Sequence, residues 1–275
     1  MTNKIDHQLS RIRSDSHTGI MTHVVVGYPT LDATEEIVRT MAAAGVDLVE
    51  MQIPFSDPLA DGPTIQAACE AALTSGTRVR DAFVLAKRLQ DIDIPLLFMA
   101  YFNTLYKYGV ERFCQDAAAA GISGLIVPDA PFEAAIHEGF LDSCHKTDLY
   151  NIITLSPTST PERLRKNAAI AQGFVYCVAR QGVTGAGGQI YKDVASYLHN
   201  IREHIDLPLA LGFGISDRVR FEAVAPYCDI AVVGSAIIDI IASSDQSEMA
   251  MNVDQFIRSI TKKPKAIALP SNSSH

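Results

Sequence analysis

The chain has 275 residues, 48% of them apolar and 20% charged, which suffices for one large domain or two small ones with a sizeable core. Basic residues number 23 against 31 acidic, a net charge of −8 with neutral histidines, and no basic stripe of the kind a nucleic-acid binder shows is present. No apolar run approaches the roughly 18 residues of a membrane helix, and the N-terminal stretch lacks the build of a signal peptide, so a cytoplasmic protein is expected.

Short β-rich runs alternate with longer stretches of helical period. The runs predict strands near Thr22–Val26, Leu48–Ile53, Leu96–Tyr101, Gly124–Val127, Asn151–Leu155, Phe174–Val178, Leu207–Leu211 and Asp229–Val233. Between and after them the period predicts helices over Asp32–Ala44, Val79–Leu89, Val110–Ala120, Pro131–Ser143, Pro161–Ala171, Tyr191–Glu203, Asp217–Ala225 and Val253–Ile260. Asp32 and Thr160 read as N-caps and Pro161 as a first helical residue. Gly45, Gly121 and Gly173 sit where helices should stop. Eight βα units in this length predict an α/β fold, a (β/α)₈ TIM barrel with a short N-terminal helix. A doubly wound open sheet is the competitor, but no G-x-G-x-x-G opens the first helix. The barrel domain is expected over 1–262, with a flexible tail over 263–275.

Five widely spaced cysteines form no C-x-x-C pair, and the histidines show no H-x-x-H or H-E-x-x-H spacing, so neither a disulfide framework nor a metal centre is expected. In a barrel the chemistry belongs at the C-terminal ends of the strands and the loops beyond them. Alternation along Leu48–Ile53 puts Val49, Met51 and Ile53 on the helix-facing side, which turns Leu48, Glu50 and Gln52 inward. An inward glutamate is costly unless paired or protonated, because burial penalises its charged form, and this suits acid–base work. The following loop, Pro54 to Pro63, is stiffened by its prolines and brings Asp57 and Asp61 above the barrel mouth. Two carboxyl groups in different surroundings are the usual means of giving and taking protons in one site.

After the seventh strand comes Gly212-Phe213-Gly214-Ile215-Ser216, and after the eighth comes Gly234-Ser235-Ala236 opening a helix. Barrels often bind phosphate between these two loops through bare backbone N–H groups and a helix N-terminus. The sixth strand turns Tyr176 into the mouth and leads to the glycine-rich stretch from Gln181 to Gly188, which has the composition of a closing lid.

These segments resemble the tryptophan synthase α-subunit family. The run Pro54–Gln66, Pro-Phe-Ser-Asp-Pro-Leu-Ala-Asp-Gly-Pro-Thr-Ile-Gln, is that family's signature. Gly27-Tyr28-Pro29-Thr30, Tyr101, Asn103, Pro128-Asp129, Gly182-Val183-Thr184-Gly185 and the glycine loops agree with it. The resemblance spans about Gly27 to Ile241 and departs in Met51-Gln52, where the family has Leu-Gly, and in Ala179, where it commonly has serine.

The resemblance implies a carbon–carbon lyase that cleaves indole-3-glycerol phosphate in tryptophan biosynthesis. Glu50 and Asp61 would be the catalytic pair and Thr184 the lid threonine. Gly185, Gly214, Gly234 and Ser235 would hold phosphate, and Tyr176, Phe213 and Ile65 would wall the indole. It implies no metal and no cofactor on this chain, with pyridoxal phosphate on a partner β subunit in an α₂β₂ tetramer. Two other readings stay open at this level. One is a different phosphate-binding barrel enzyme or a lyase working alone, and the other is a subunit acting mainly as an allosteric partner, for which Gln52 is the one argument.

Overall fold

The computed structural model of the chain describes residues 3–130, 136, 138–179 and 187–261. Its strands are all parallel and form one sheet. They are β1 (Gly19–Val25), β2 (Leu48–Gln52), β3 (Leu96–Met99), β4 (Gly124–Ile126), β5 in two pieces (Tyr150–Ile152 and Thr154–Leu155), β6 (Val175–Val178), β7 (Leu209–Gly212) and β8 (Ile230–Val233). The first piece of β5 pairs with β4 and the second with β6, while β8 pairs with β1, so eight strand positions close into a barrel. At the break the Ile153 carbonyl still accepts from Tyr176 N at 2.9 Å.

Twelve helices surround the barrel among the described residues. They are α1 (Lys4–Ser14), α2 (Leu31–Ala43), α3 (Pro63–Thr74), α4 (Val79–Arg88), α5 (Phe102–Tyr108) and α6 (Val110–Ala119). The second half adds α7 (Phe140–Lys146), α8 (Pro161–Ala168), α9 (Gly187–Arg202), α10 (Arg218–Val224), α11 (Ser235–Ser243) and α12 (Met249–Thr261). The eightfold βα order of the sequence is thus present, with α1 as the short N-terminal helix.

Period-2 alternation sorts the strand residues into two apolar layers. Met21, Leu48, Leu97, Ile126, Phe174, Ala210 and Ile230 fill the barrel interior, whereas Val49, Met51, Phe98, Val175, Leu211 and Ala231 pack under the helices. Ile5, Leu9 and Ile12 of α1 belong to the interior group, so α1 closes the N-terminal end of the barrel. Glycine makes room for it: a Cβ on Gly19 would lie 2.5 Å from Ile12 Cδ1, and one on Gly124 would lie 3.1 Å from Ile5 Cδ1. Polar ties reinforce the closure. Asn3 caps α1 through Ile5 N at 2.9 Å and donates to the Ser123 and Asp148 carbonyls, and Gln8 donates to Asp47 Oδ1 at 2.6 Å. The open end for substrate is therefore the opposite, C-terminal one.

Several local expectations are corrected. The N-cap of α2 is Thr30, whose hydroxyl accepts from Ala33 N at 3.1 Å, and Asp32 lies instead in the first turn, where its charge suits the helix dipole. Thr160 and Pro161 do open α8 as expected. Gly45 and Gly121 follow helix ends with φ of +97° and +87°, but Gly173 stands well past the end of α8. At Gly173 the φ of +65° favours glycine too, and space adds to it, since a Cβ there would meet Tyr150 Cδ2 at 2.9 Å. The helix expected over Pro131–Ser143 falls partly on residues 131–135 and 137, outside the described residues, and the described helix runs from Phe140 to Lys146. Two helices, α3 and α5, have no counterpart in the sequence reading. The inward side of α3 is built of Ala68, Cys69 and Ala72, small residues that give a faint apolar period. The tail expected over 263–275 lies outside the described residues.

Candidate functional site

The β1–β2 register places His23 directly opposite Glu50, and the β2–β3 register places Gln52 opposite Met99. Glu50 is 1% exposed and Gln52 is wholly buried, and both sit on the interior face with Leu48, as alternation required. His23 Nδ1 lies 2.5 Å from Glu50 Oε1. Among the described residues nothing partners Glu50 Oε2, His23 Nε2, Gln52 Oε1 or Thr22 Oγ1, although all four atoms are buried. Buried polar atoms in native proteins are almost always satisfied, and the three of His23, Glu50 and Gln52, which share the interior face while Thr22 faces the helices, mark a place built to meet something else.

Asp61 comes to this group from the β2–α3 loop. Its Oδ2 accepts from Gln52 Nε2 at 2.7 Å and from the Tyr101 hydroxyl at 2.9 Å. Tyr101 in turn accepts from Ala60 N at 3.0 Å and stacks on Phe55, with ring centroids 5.1 Å apart. Gln66 donates to the carbonyls of Asp61 and Pro58, and Asp61 N donates to Pro58 O at 3.0 Å. The loop is thus held by its own hydrogen bonds as well as by proline. Asp57 stays apart: it is exposed and accepts from the Ser56 hydroxyl at 2.6 Å, which is turn chemistry.

The carboxylates leave their mark on their neighbours. Burial pushes the Tyr176 phenol well above its ordinary pKa, and the charges of Glu50 and then Asp61 push it further. Tyr101 is likewise raised, by burial first and by Asp61 second, so both phenols remain neutral donors. The Cys69 thiol is pushed up to about 11 by burial, with Asp61 adding to it, which makes it an inert neighbour rather than a nucleophile.

The glycine loops follow β7 and β8 at the C-terminal end of the barrel. Gly212 lies under the Tyr176 ring, where a Cβ would be 3.2 Å from Cε1. Gly214 adopts φ +62°, which favours glycine, and its carbonyl accepts from Arg220 at 3.1 Å. Gly234 precedes α11, whose first residue is Ser235, and a Cβ at Gly234 would approach His23 Cβ at 3.7 Å and Ile65 Cδ1 at 4.0 Å. Ile65 is half-buried on α3, and Phe213, which follows Gly212 on the β7–α10 loop, is buried. Thr184 and Gly185 lie outside the described residues. Of the residues expected from the sequence, Glu50 and Asp61 both act on Tyr176, and Gly234 lies near Ile65 and near His23, the neighbour of Glu50.

The sequence reading missed His23. Met21 is an interior residue, so His23, two positions on, has interior parity beside Glu50. The pattern of the expected strand Thr22–Val26 leaves the facing of His23 open, because Val24, Val25 and Val26 are apolar at both parities. The partner of Gln52 stays unassigned as well, because that contact depends on how the loop folds back. Among the described residues no group of three or more His, Cys, Asp and Glu could hold a metal ion, and no helix is long and apolar enough to cross a membrane.

Comparison with known proteins agrees with this architecture. The family model described as tryptophan synthase alpha chain matches residues 9–266. A tryptophan synthase alpha chain of Desulfotalea psychrophila is 45% identical over 83% of this chain and 90% of its own length. One of Syntrophotalea carbinolica is 44% identical over 88% and 93%. The crystal structure of tryptophan synthase subunit alpha from Legionella pneumophila superposes with a TM-score of 0.87 at 28% identity, covering 94% of this chain and 97% of that one. A Mycobacterium tuberculosis tryptophan synthase structure gives 0.85 at 30% identity, covering 94% and 97%. The sequence, the barrel and these relatives together establish that the chain belongs to the tryptophan synthase alpha chain family of lyases.

Proposed function

We propose that the chain cleaves indole-3-glycerol phosphate to indole and D-glyceraldehyde 3-phosphate, with Glu50 as the proton-transfer group and Asp61 as the anchor of the indole N–H. The observation that carries this reading is a buried inward carboxyl, Glu50, with one oxygen unpartnered, beside a second carboxylate held on a fixed loop. The reaction is a retro-aldol cleavage. Indole C3 must gain a proton to make the ring a leaving group, and the C3′ hydroxyl must lose one as the carbon–carbon bond breaks. Glu50, starting protonated, gives its proton to C3 and receives the hydroxyl proton, so the site ends as it began. As C3 is protonated, positive charge spreads to the indole nitrogen, and ionised Asp61 accepts a hydrogen bond from that N–H.

Gly214, Gly234 and Ser235 offer backbone N–H groups, a hydroxyl and the N-terminus of α11 to the phosphate, with Gly185 expected from the lid. Tyr176, Phe213 and Ile65 form the apolar surround of the ring. The scheme uses no cofactor on this chain.

The test is Glu50→Gln, which keeps the shape and removes the proton. Turnover should fall at least about 10³-fold while a glycerol-phosphate ligand still binds within about threefold. Indole release near the wild-type rate would overturn the assignment.

We further propose that a pyridoxal-phosphate β subunit docks at the mouth, in an α₂β₂ assembly. Leu59, at the tip of the β2–α3 loop, is 87% exposed beside exposed Asp57, which gives a partner an apolar contact on the loop that carries Asp61. Adding purified β subunit should raise indole output severalfold, and Leu59→Asp should abolish that rise. No change on adding β subunit contradicts the docking.

A further inference from the structure

The contact between His23 and Glu50 has no role in the scheme above, although both side chains are buried and their strands hold them in register. At 2.5 Å between Nδ1 and Oε1, one proton must lie between the two atoms, because two facing lone pairs would repel at that separation. Glu50 Oε1 is therefore committed to the imidazole. Oε2 is the oxygen left for exchange with a substrate, and it has no partner among the described residues.

We infer that His23 is a positioning residue that aligns the Glu50 carboxyl and stabilises its ionised form between the two proton transfers. The inference rests on the lyase reading. Protonated Glu50 gives the Oε2 proton to indole C3, and the carboxylate left behind keeps a charge-assisted hydrogen bond from His23 Nδ1–H. When the carbon–carbon bond breaks, its electron pair moves onto the ring, the hydroxyl proton passes to Oε2, and the aldehyde forms. The Nδ1 proton stays on the imidazole throughout. The surroundings give this bond its purpose. Around the pair stand Tyr176 from β6 and Asp61 from the β2–α3 loop, with Tyr101 beyond β3 and Gln52 on Asp61, and Cys69 of α3 behind Gln52. Glu50 and Asp61 both lie close enough to act on Tyr176, so a carboxylate formed at Glu50 during the cycle has a carboxyl neighbour. A donor fixed by the barrel stabilises that carboxylate at no cost in reorganisation.

The experiment measures indole release by the full-length chain across about pH 6 to 10 for wild type, His23→Phe and His23→Asn. His23→Phe keeps an aromatic ring and removes the donor, whereas the amide of His23→Asn can still donate. His23→Phe should lower kcat about 10- to 100-fold with KM within about threefold, and its basic limb should move up by about one pH unit, because the carboxylate has lost its donor. His23→Asn should recover most of kcat and return the limb toward wild type. A folded His23→Phe with wild-type kcat and limb overturns the inference, as does an Asn variant no better than Phe. If His23→Phe fails to fold, ¹⁵N-resolved NMR of the wild type decides: a downfield Nδ1–H proton of His23 that is lost in Glu50→Gln supports the contact, and its absence overturns it. A wild-type chain that releases no indole overturns the lyase reading together with this inference, whereas normal wild-type turnover with an unaffected His23→Phe overturns the inference alone.

Discussion

Gln52 shows how one substitution can rewire a site while leaving its acids in place. Where the resemblance leads one to expect glycine, an amide instead donates to Asp61 Oδ2 at 2.7 Å, and its own Oε1 remains buried without a partner among the described residues. The first contact fixes the Asp61 carboxyl in place, and the second costs stability. Gln52→Leu separates the two effects, since it removes both polar atoms at similar volume. Asp61 would keep only the Tyr101 donor. The expected outcome is a fall in kcat/KM of about tenfold, because hydrogen bonds to charged groups are worth about 1.5–3 kcal/mol. The urea midpoint should be unchanged or raised, since the orphan acceptor is gone. Steady-state kinetics beside urea unfolding of the same preparation would show this split, and a variant equally active as wild type would mean that Gln52 does not hold Asp61 for catalysis.

At the scale of elements, what the residues reveal depends on how strongly they are patterned. β2 is legible because Val49, Met51 and Ile53 must all face helices, and that alone turns Glu50 and Gln52 inward. α8 is legible because Thr160 and Pro161 announce its start. α3 is not, because Ala68, Cys69 and Ala72 pack through smallness rather than bulk, and its N-cap Gly62 makes no side-chain bond. α2 shows the limit of single signals: Thr30 and Asp32 are both acceptable caps, and backbone geometry chose Thr30. The site divides in the same way. Glu50, Tyr176 and the glycine loops follow from parity and strand order, whereas the bonds from His23 to Glu50 and from Gln52 to Asp61 are tertiary contacts between polar groups, and alternation says which way a side chain points but not what it meets.

At the scale of the whole molecule, the closed barrel buries thiols and phenols in both of its layers, and this ties its stability to alkaline pH. Burial is the leading cause in each instance. It raises Cys69 from 9.0 to about 11 and, with Asp229, Cys228 from 9.0 to about 12. Burial and the bond to Asp6 raise Tyr150 from 10.0 to about 12. Tyr176, Tyr101 and Tyr197 are raised as well, each chiefly by burial. A group whose native pKa lies above its unfolded value binds its proton more tightly when folded. Its contribution is whole below the unfolded pKa and is lost as pH rises through the native one. For the thiols the loss begins near pH 9, and the tyrosines join near pH 10. Each such proton contributes a slope of about 1.4 kcal/mol per pH unit, so several together steepen the fall. Urea midpoints should therefore hold steady from about pH 7 to 8.5, decline above about pH 9 and drop sharply past about pH 10. Cys228→Ala should flatten the first part of that decline even if it lowers stability at neutral pH, because it removes one of the protons the native state retains. A midpoint that stays level through pH 10.5 would show that the unfolded chain keeps its thiols and phenols as well shielded as the barrel does.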